Sequence, residues 1–243
     1  MLTPENHLKY SRKMGNFPEG EPPKTMIFCF SRKFLSGVLE RYRHEAYQGT
    51  FRKMVHLLDF PGVAIGNFGV GAPLSAMKME QLIAWGVKDF YIIGLAGAIG
   101  EGLKIGDIIG CTEAIRDEGV SRHYVPPAET IRLPKSDLQK LEKCLAHVPH
   151  RLGLIWTFDA IYRETKEEFL RYRRRGVLGV EMETAALYAV AAFRKVSMIS
   201  LLVISDLHTE TDWIPGFYDL SVLENQHVLL AAILKDGLPH FSS

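Results

Sequence analysis

Apolar positions along the chain come in short dense runs, separated by polar stretches with helical spacing. Thr25–Phe30, Met54–Phe60, Gly62–Phe68, Asp89–Ile93, Asp107–Ile115, Leu152–Thr157, Val177–Glu181 and Val196–Ile204 read as strands. Phe90 to Ile93 is apolar throughout, as a strand covered on both faces should be. Helical spacing predicts helices over Phe34–Glu45, from Pro73 to Trp85, and over Ser136–Ala146, Lys166–Arg175, Thr184–Phe193 and Leu220–Leu234. Pro61-Gly62 marks a turn. Strands and helices alternate, which predicts an α/β fold with a mostly parallel sheet. Residues 1–24 are polar and rich in turn residues. They read as an N-terminal arm without a core of its own, leaving 25–243 as a single domain.

Composition excludes several classes. Of the 243 residues 47% are apolar and 23% charged, ordinary globular values that exclude a disordered chain. Lys and Arg number 29 against 28 Asp and Glu, so the basic excess of a phosphate-contacting nucleic-acid binder is missing. No apolar run approaches the ~20 residues of a membrane span. The N-terminal stretch lacks the apolar centre of a signal peptide. Cys29, Cys111 and Cys144 are odd in number and without metal or redox spacing, so a reducing, cytoplasmic setting and no metal site are expected. A small molecule is the expected partner, rather than nucleic acid or a membrane.

In open α/β sheets ligands bind beyond the carboxyl ends of the strands, so polar residues directly after apolar runs carry the information. Asp206 follows Met198–Ser205. A carboxyl group at the mouth of a dry strand is expected to have a raised pKa and to serve as a general acid. Asp is also a preferred helix cap, and that reading competes. Glu181 and Glu183 flank Met182, and on a strand this spacing puts both carboxylates on one face. They suit the paired hydroxyls of a ribose, or else the start of a helix whose dipole favours acids. Gly69-Val-Gly71-Ala-Pro73 reads as a generic anion nest before a helix. Gly94–Gly100 lacks the spacing of a dinucleotide fingerprint. Arg122 and His123 lie in a polar loop.

Together these segments resemble the nucleoside phosphorylase/uridine phosphorylase superfamily. The resemblance rests on Gly69–Pro73, Glu80-Gln-Leu82, Trp85-Gly-Val87, Gly94-x-Ala-Gly-Ala98, Leu103–Asp107, Val180-Glu-Met-Glu183 and Ser205-Asp206, in that order. It covers about residues 25–235. It implies one α/β domain with a central mixed, partly closed sheet flanked by helices, assembled into a homo-oligomer. It also implies cleavage of a nucleoside N-glycosidic bond in the salvage of bases. Asp206 is then the acid that protonates a purine as it leaves. Glu183, Met182 and Glu181 serve the ribose, with His7 reaching a neighbouring copy's sugar. Ile161, Tyr162, Ala96 and Gly97 line the base. Gly71, Arg43, Arg32 and Leu95 surround phosphate, which acts as co-substrate with no other cofactor.

The departures from the family pattern concern the nucleophile. The loop after the first strand reads Phe30-Ser-Arg-Lys-Phe34 instead of Gly-Asp-Pro-x-Arg. Ile92 stands where an Arg is expected, and Leu95 where a hydroxyl is. Losing both weakens a dianion site, because charge-assisted contacts are its strong ones. The Glu that activates water in nucleosidases is absent from Phe30–Phe34 as well. A purine nucleoside phosphorylase is the leading expectation. A nucleoside hydrolase and a catalytically silent binding or storage protein remain the alternatives.

Overall fold

The computed structural model describes residues 1–17, 20–51 and 54–238. Its helices and strands, in chain order, are α1 (Pro4–Lys13), β1 (Thr25–Cys29), α2 (Arg32–Arg41), β2 (His44–Ala46), β3 (Val55–Leu58), β4 (Val63–Asn67), α3 (Ala72–Trp85), β5 (Asp89–Ala98), β6 (Ile108–Asp117), β7 (Thr130–Arg132), α4 (Lys135–Leu145), β8 (Arg151–Phe158), α5 (Lys166–Arg174), β9 (Gly179–Glu181), α6 (Thr184–Arg194), β10 (Ser197–His208), β11 (Trp213–Pro215) and α7 (Leu220–Ala232). The sheet runs β11-β10-β6-β8-β9-β5-β1-β4-β3-β2, with β7 on β6. A further pairing of β10 with β5 closes β5, β10, β6, β8 and β9 into a barrel. Among the described residues no helix is long and apolar enough to cross a membrane.

The long apolar strands form the centre because both their faces are covered. On one side lie α3 and α6, whose Met79, Leu82, Leu187 and Val190 pack with Phe28, Phe90 and Ile92. On the other lie α2, α4 and α7, whose Phe34, Leu141, Leu145, Leu229 and Leu230 pack with Ile27, Tyr91 and Ile93. Alternate residues of one strand thus enter opposite clusters, as the pleat requires. A third cluster, around Trp156, Phe169 and Tyr172, fixes α5 against β6 and β8.

Four elements escape the pattern reading. The arm contains α1, capped by Thr3, with Pro at its start, Glu5 in its first turn and Arg12 and Lys13 in its last. Leu8 is buried in the main cluster, so the arm shares the core of the domain. Burial of one such side chain is worth about 2 kcal/mol. The helix predicted to Glu45 stops at Arg41, and His44–Ala46 pair with β3. Tyr42 packs edge-on against Phe60, which holds the chain extended there. The short strands β7 and β11 were too brief to show a period.

The strand expected to end at Ile204 instead continues to His208. A bulge lies between Ile204 and Asp206. Ile204 and Leu207 both reach the same apolar cluster, although a regular strand would turn them to opposite faces. The extra residue leaves Asp206 and His208 side by side on the other face.

Candidate active site

Polar side chains gather where β5 ends. Gly97 pairs with Val180 of β9 on one side and with Asp206 of β10 on the other. A Cβ at Gly97 would come within 2.5 Å of His208 Nε2 and 2.9 Å of Asp206 Oδ2. Only glycine lets the carboxylate and the imidazole lie this close to the strand.

Asp206 is buried and saturated with donors. Ser205 Oγ donates to Oδ1 at 2.7 Å. Trp213 Nε1 donates to Oδ2 at 2.8 Å, and His208 Nε2 lies 3.0 Å from the same oxygen. The other ring nitrogen, Nδ1, lies 3.3 Å from Glu164 Oε2. An imidazole between two carboxylates satisfies both in its charged form. Burial alone would raise Asp206, but the hydrogen bonds from His208, Ser205 and Trp213 outweigh it and hold the carboxyl below its ordinary range. This corrects the expectation of a raised Asp206. Burial likewise opposes charge on His208, yet the bond to Asp206 and the field of Glu164 lift its pKa above the usual histidine value. Burial pushes Glu164 up, with His208 pulling it back. The helix-cap reading of Asp206 fails, since the residue sits within β10. Asp219 caps α7 instead.

The two glutamates of the Val-Glu-Met-Glu segment divide their tasks. Glu181 closes β9, and its carboxylate accepts from Thr157 Oγ1 at 2.5 Å and from the backbone N–H groups of Glu183 and Thr184 at 2.8 Å each. It therefore holds the start of α6, as the dipole reading anticipates. Glu183 is buried but turns away from that helix, and its Oε1 accepts from Gly71 N at 2.5 Å. Gly71 (φ 107°) starts α3, and nothing stands where its Cβ would project. Burial, and then repulsion from Glu181, push the Glu183 carboxyl up to about 8. Met182 lies between the two acids, half-buried.

The other expected residues are more scattered. Ala96 is buried, and its carbonyl faces Ser205 Oγ at 3.5 Å. Ile161 and Tyr162 stand out from a short 3₁₀ turn, 49% and 96% exposed. The member of that segment that reaches Asp206's partners is Glu164. Ile92 is wholly buried in the core and supplies no charge where an Arg was expected. Leu95 packs into the opposite cluster, with Ile93 and Val203, and offers no polar side chain to phosphate. Arg32 opens α2, exposed. Arg43 is exposed just before β2, at the far edge of the sheet. His7 Nδ1 faces Gln81 Nε2 at 3.5 Å. Gln81 lies ten residues along α3 from Gly71, about 15 Å at the helical rise. Within one chain, then, the structure joins Asp206, Gly97 and Ala96 on one flank of β5 and Glu181, Glu183 and Gly71 on the other. Arg43 and His7 lie elsewhere.

Glu164, His208 and Trp213 were missed from sequence. His208 had a usable signal, since a residue two beyond Asp206 shares its face if the strand continues. Glu164 and Trp213 arrive through loop and hairpin geometry and had none.

The family model of the Phosphorylase superfamily matches residues 33–234. The chain belongs to this superfamily. It is an enzyme of the nucleoside phosphorylase family, a pentosyltransferase. A DeoD-type purine nucleoside phosphorylase of Shewanella oneidensis is 30% identical over 203 residues, covering 79% of this chain and 84% of that protein. One from Bacillus cytotoxicus is 34% identical over 151 residues, covering 59% and 63%. Among solved structures, uridine phosphorylase of Vibrio fischeri superposes with a TM-score of 0.72 at 22% identity, over 88% of this chain and 91% of that one. The same protein with 6-hydroxy-1-naphthoic acid gives 0.75 at 23%, over 90% and 92%. At that identity the likeness concerns the fold, and it agrees with the single α/β fold and partly closed sheet expected from sequence.

Proposed function

We propose that this enzyme cleaves the N-glycosidic bond of purine-type nucleosides, passing the pentose to inorganic phosphate and releasing the free base. Asp206 carries the reading. A purine leaves poorly as an anion, and a carboxyl group at the end of β10 can protonate its ring nitrogen as the sugar carbon becomes oxocarbenium-like. The DeoD-type names of the sequence relatives support the purine assignment, and the uridine phosphorylase neighbours speak only to fold. Glu183 holds the ribose hydroxyls, since a carboxyl group presents two oxygens side by side. When ribose draws Glu183 away, the Gly71 N–H at the start of α3 becomes available to an anion. Arg32 and Arg43 supply cations. Arg43 and His7, being remote from their own site, serve a neighbouring copy in a cytoplasmic homo-oligomer. No cofactor besides phosphate is required.

A hydrolytic variant is the second reading. It is favoured by the apolar burial of Ile92 and Leu95, which leaves the nucleophile side short of charge. Phosphate dependence separates the two. Purine release from inosine or adenosine should rise in proportion to added phosphate until saturation, with pentose 1-phosphate as product. Full release in phosphate-free buffer would establish hydrolysis. Asp206→Asn should lower kcat for purine nucleosides by on the order of 10²–10⁴. No base release by the parent from any nucleoside in a panel would leave the binding or storage reading.

A further inference from the structure

A general acid must carry a proton, and Asp206 accepts three hydrogen bonds that all favour its ionised form. Of its three donors only His208 carries a proton that titrates near neutral pH. We infer that His208 is the proton store for Asp206, with Glu164 as the anion that keeps the imidazole charged. This rests on Asp206 acting as the acid and deepens that reading.

The geometry is a linear chain, from Glu164 Oε2 through His208 Nδ1 and Nε2 to Asp206 Oδ2, with contacts of 3.3 Å and 3.0 Å. In the resting site both carboxylates are ionised and the imidazole holds both its protons. As the glycosidic bond breaks, its electron pair moves onto the purine. The proton on His208 Nε2 passes to the Asp206 carboxylate, and the carboxyl group gives a proton to the basic ring nitrogen. The base departs neutral, and the imidazole is left neutral against Glu164. A cavity of about 350 Å³ lies elsewhere on the chain, at Pro22, Tyr47 and Leu57. A second one, of about 230 Å³, opens directly beside the relay and is lined by Glu164, His208, Thr209, Asp212 and Trp213. Water there can return the proton, so the cycle consumes only what solvent supplies.

Trp213 separates this arrangement from a simple structural tether. Its indole donates to Asp206 and cannot give up that proton, so it fixes the carboxylate in place. The transferable proton is left to the imidazole. The groups facing His208 are Asp206 on its own strand and Glu164 before α5. Lys166, Glu210 and Asp212 line the same cavity, and Glu168 acts on Glu164 from α5. Acids outnumber the single lysine, which agrees with a charged imidazole near neutral pH. The rate should therefore be full where the imidazole is protonated and fall as pH rises through its titration, above the ordinary value of about 6.5.

The test compares His208→Gln, Glu164→Gln and Asp206→Asn in steady-state kinetics on inosine from about pH 5 to about pH 9, with thermal melts as the check on folding. Glutamine keeps a donor toward Asp206 but holds no titrating proton. His208→Gln should lose on the order of 10²-fold in kcat with KM little changed, and the alkaline fall in kcat should vanish. Glu164→Gln should move that fall to lower pH without abolishing it. A His208→Gln enzyme with parental kcat and an unaltered alkaline limb would overturn the relay. So would a Glu164→Gln enzyme whose limb stays in place, a readout that stands even if the first variant folds poorly. Should Asp206→Asn be inactive while these limbs are unaltered, the relay fails and the purine reading survives. Should Asp206→Asn retain full rate, the acid assignment itself fails.

Discussion

The two ends of the parallel pair β5 and β10 each bury a polar network, and the two are built on opposite principles. At the starting end Asp89 accepts from Thr25 Oγ1 and is paired with Lys140. Lys140 also donates to Ser197 Oγ, which donates to Asp137, and the ammonium sits 4.2 Å from the centre of the Tyr91 ring. Two acids meet one cation and a full set of hydroxyl and amide partners. At the finishing end Asp206 and Glu164 share a single imidazole, while Glu181 and Glu183, on the other flank of β5, rest on hydroxyl and amide donors alone. Burial pushes three of these acids up, Glu183 to about 8. A network that is neutralised internally holds strands together. One left short of cations titrates near neutrality, which is the behaviour expected where chemistry is done.

The comparison breaks most visibly at its structural end. Lys140→Met would leave Asp89 without its cation in a mostly buried place, and should cost about 3 kcal/mol in urea unfolding. Turnover per folded molecule should be unchanged. A comparable loss of kcat would show that the two ends are coupled. Gly97→Ala acts at the other end, where the new methyl would press on His208 and Asp206. Overpacking of this kind costs about 2 kcal/mol, and here kcat should fall further than stability, because the methyl displaces the acid and its partner first.

The smallest effect sharpens the contrast through pH. Folded Glu183 and His208 both hold protons to higher pH than they do in the unfolded chain. Between about 4.3 and 8 the folded state binds more protons, so stability falls as pH rises. Asp206 works the other way, its contribution being present above about 3.9 and lost as pH falls through its depressed pKa. The melting temperature should drop steadily from about pH 5 to about pH 8. Glu183→Gln should remove part of the slope and leave the share due to His208. A slope unaffected by this change would mean that Glu183 is ionised in the free enzyme.

Much of this was legible in the sequence, for reasons that differ by element. β5 showed itself because Phe90 to Ile93 is apolar on both faces, and Asp206 and Glu183 because acids at the ends of dry strands need explanation. α1 was hidden by the turn residues that follow it, although Thr3, Pro4 and Glu5 form a regular start signal. Glu181 and Glu183 looked equivalent until tertiary contacts sent one to an α6 amide and the other to Gly71. Glu164 and Trp213 were invisible, since nothing local places a residue from each of two distant loops against the same histidine. Arg32 and Arg43 were legible as charges, while their distance from Gly71 depends on sheet order.

The bulge at Ser205 has a consequence for how such an enzyme can change. It works as a half-turn of a screw placed between a packed shaft and a functional tip. Everything before Ile204 keeps its alternation, and everything after it is rotated by one face. Removing Ser205 alone would leave Ile204 and Leu207 two apart and still on the apolar face, with Asp206 and His208 still on the other, and would cost mainly the Ser205 hydroxyl bond to Asp206. Straightening the bulge with Ser205 retained, by contrast, would put Asp206 and His208 on the face of Ile204 and silence the chemistry while sparing most of the barrel.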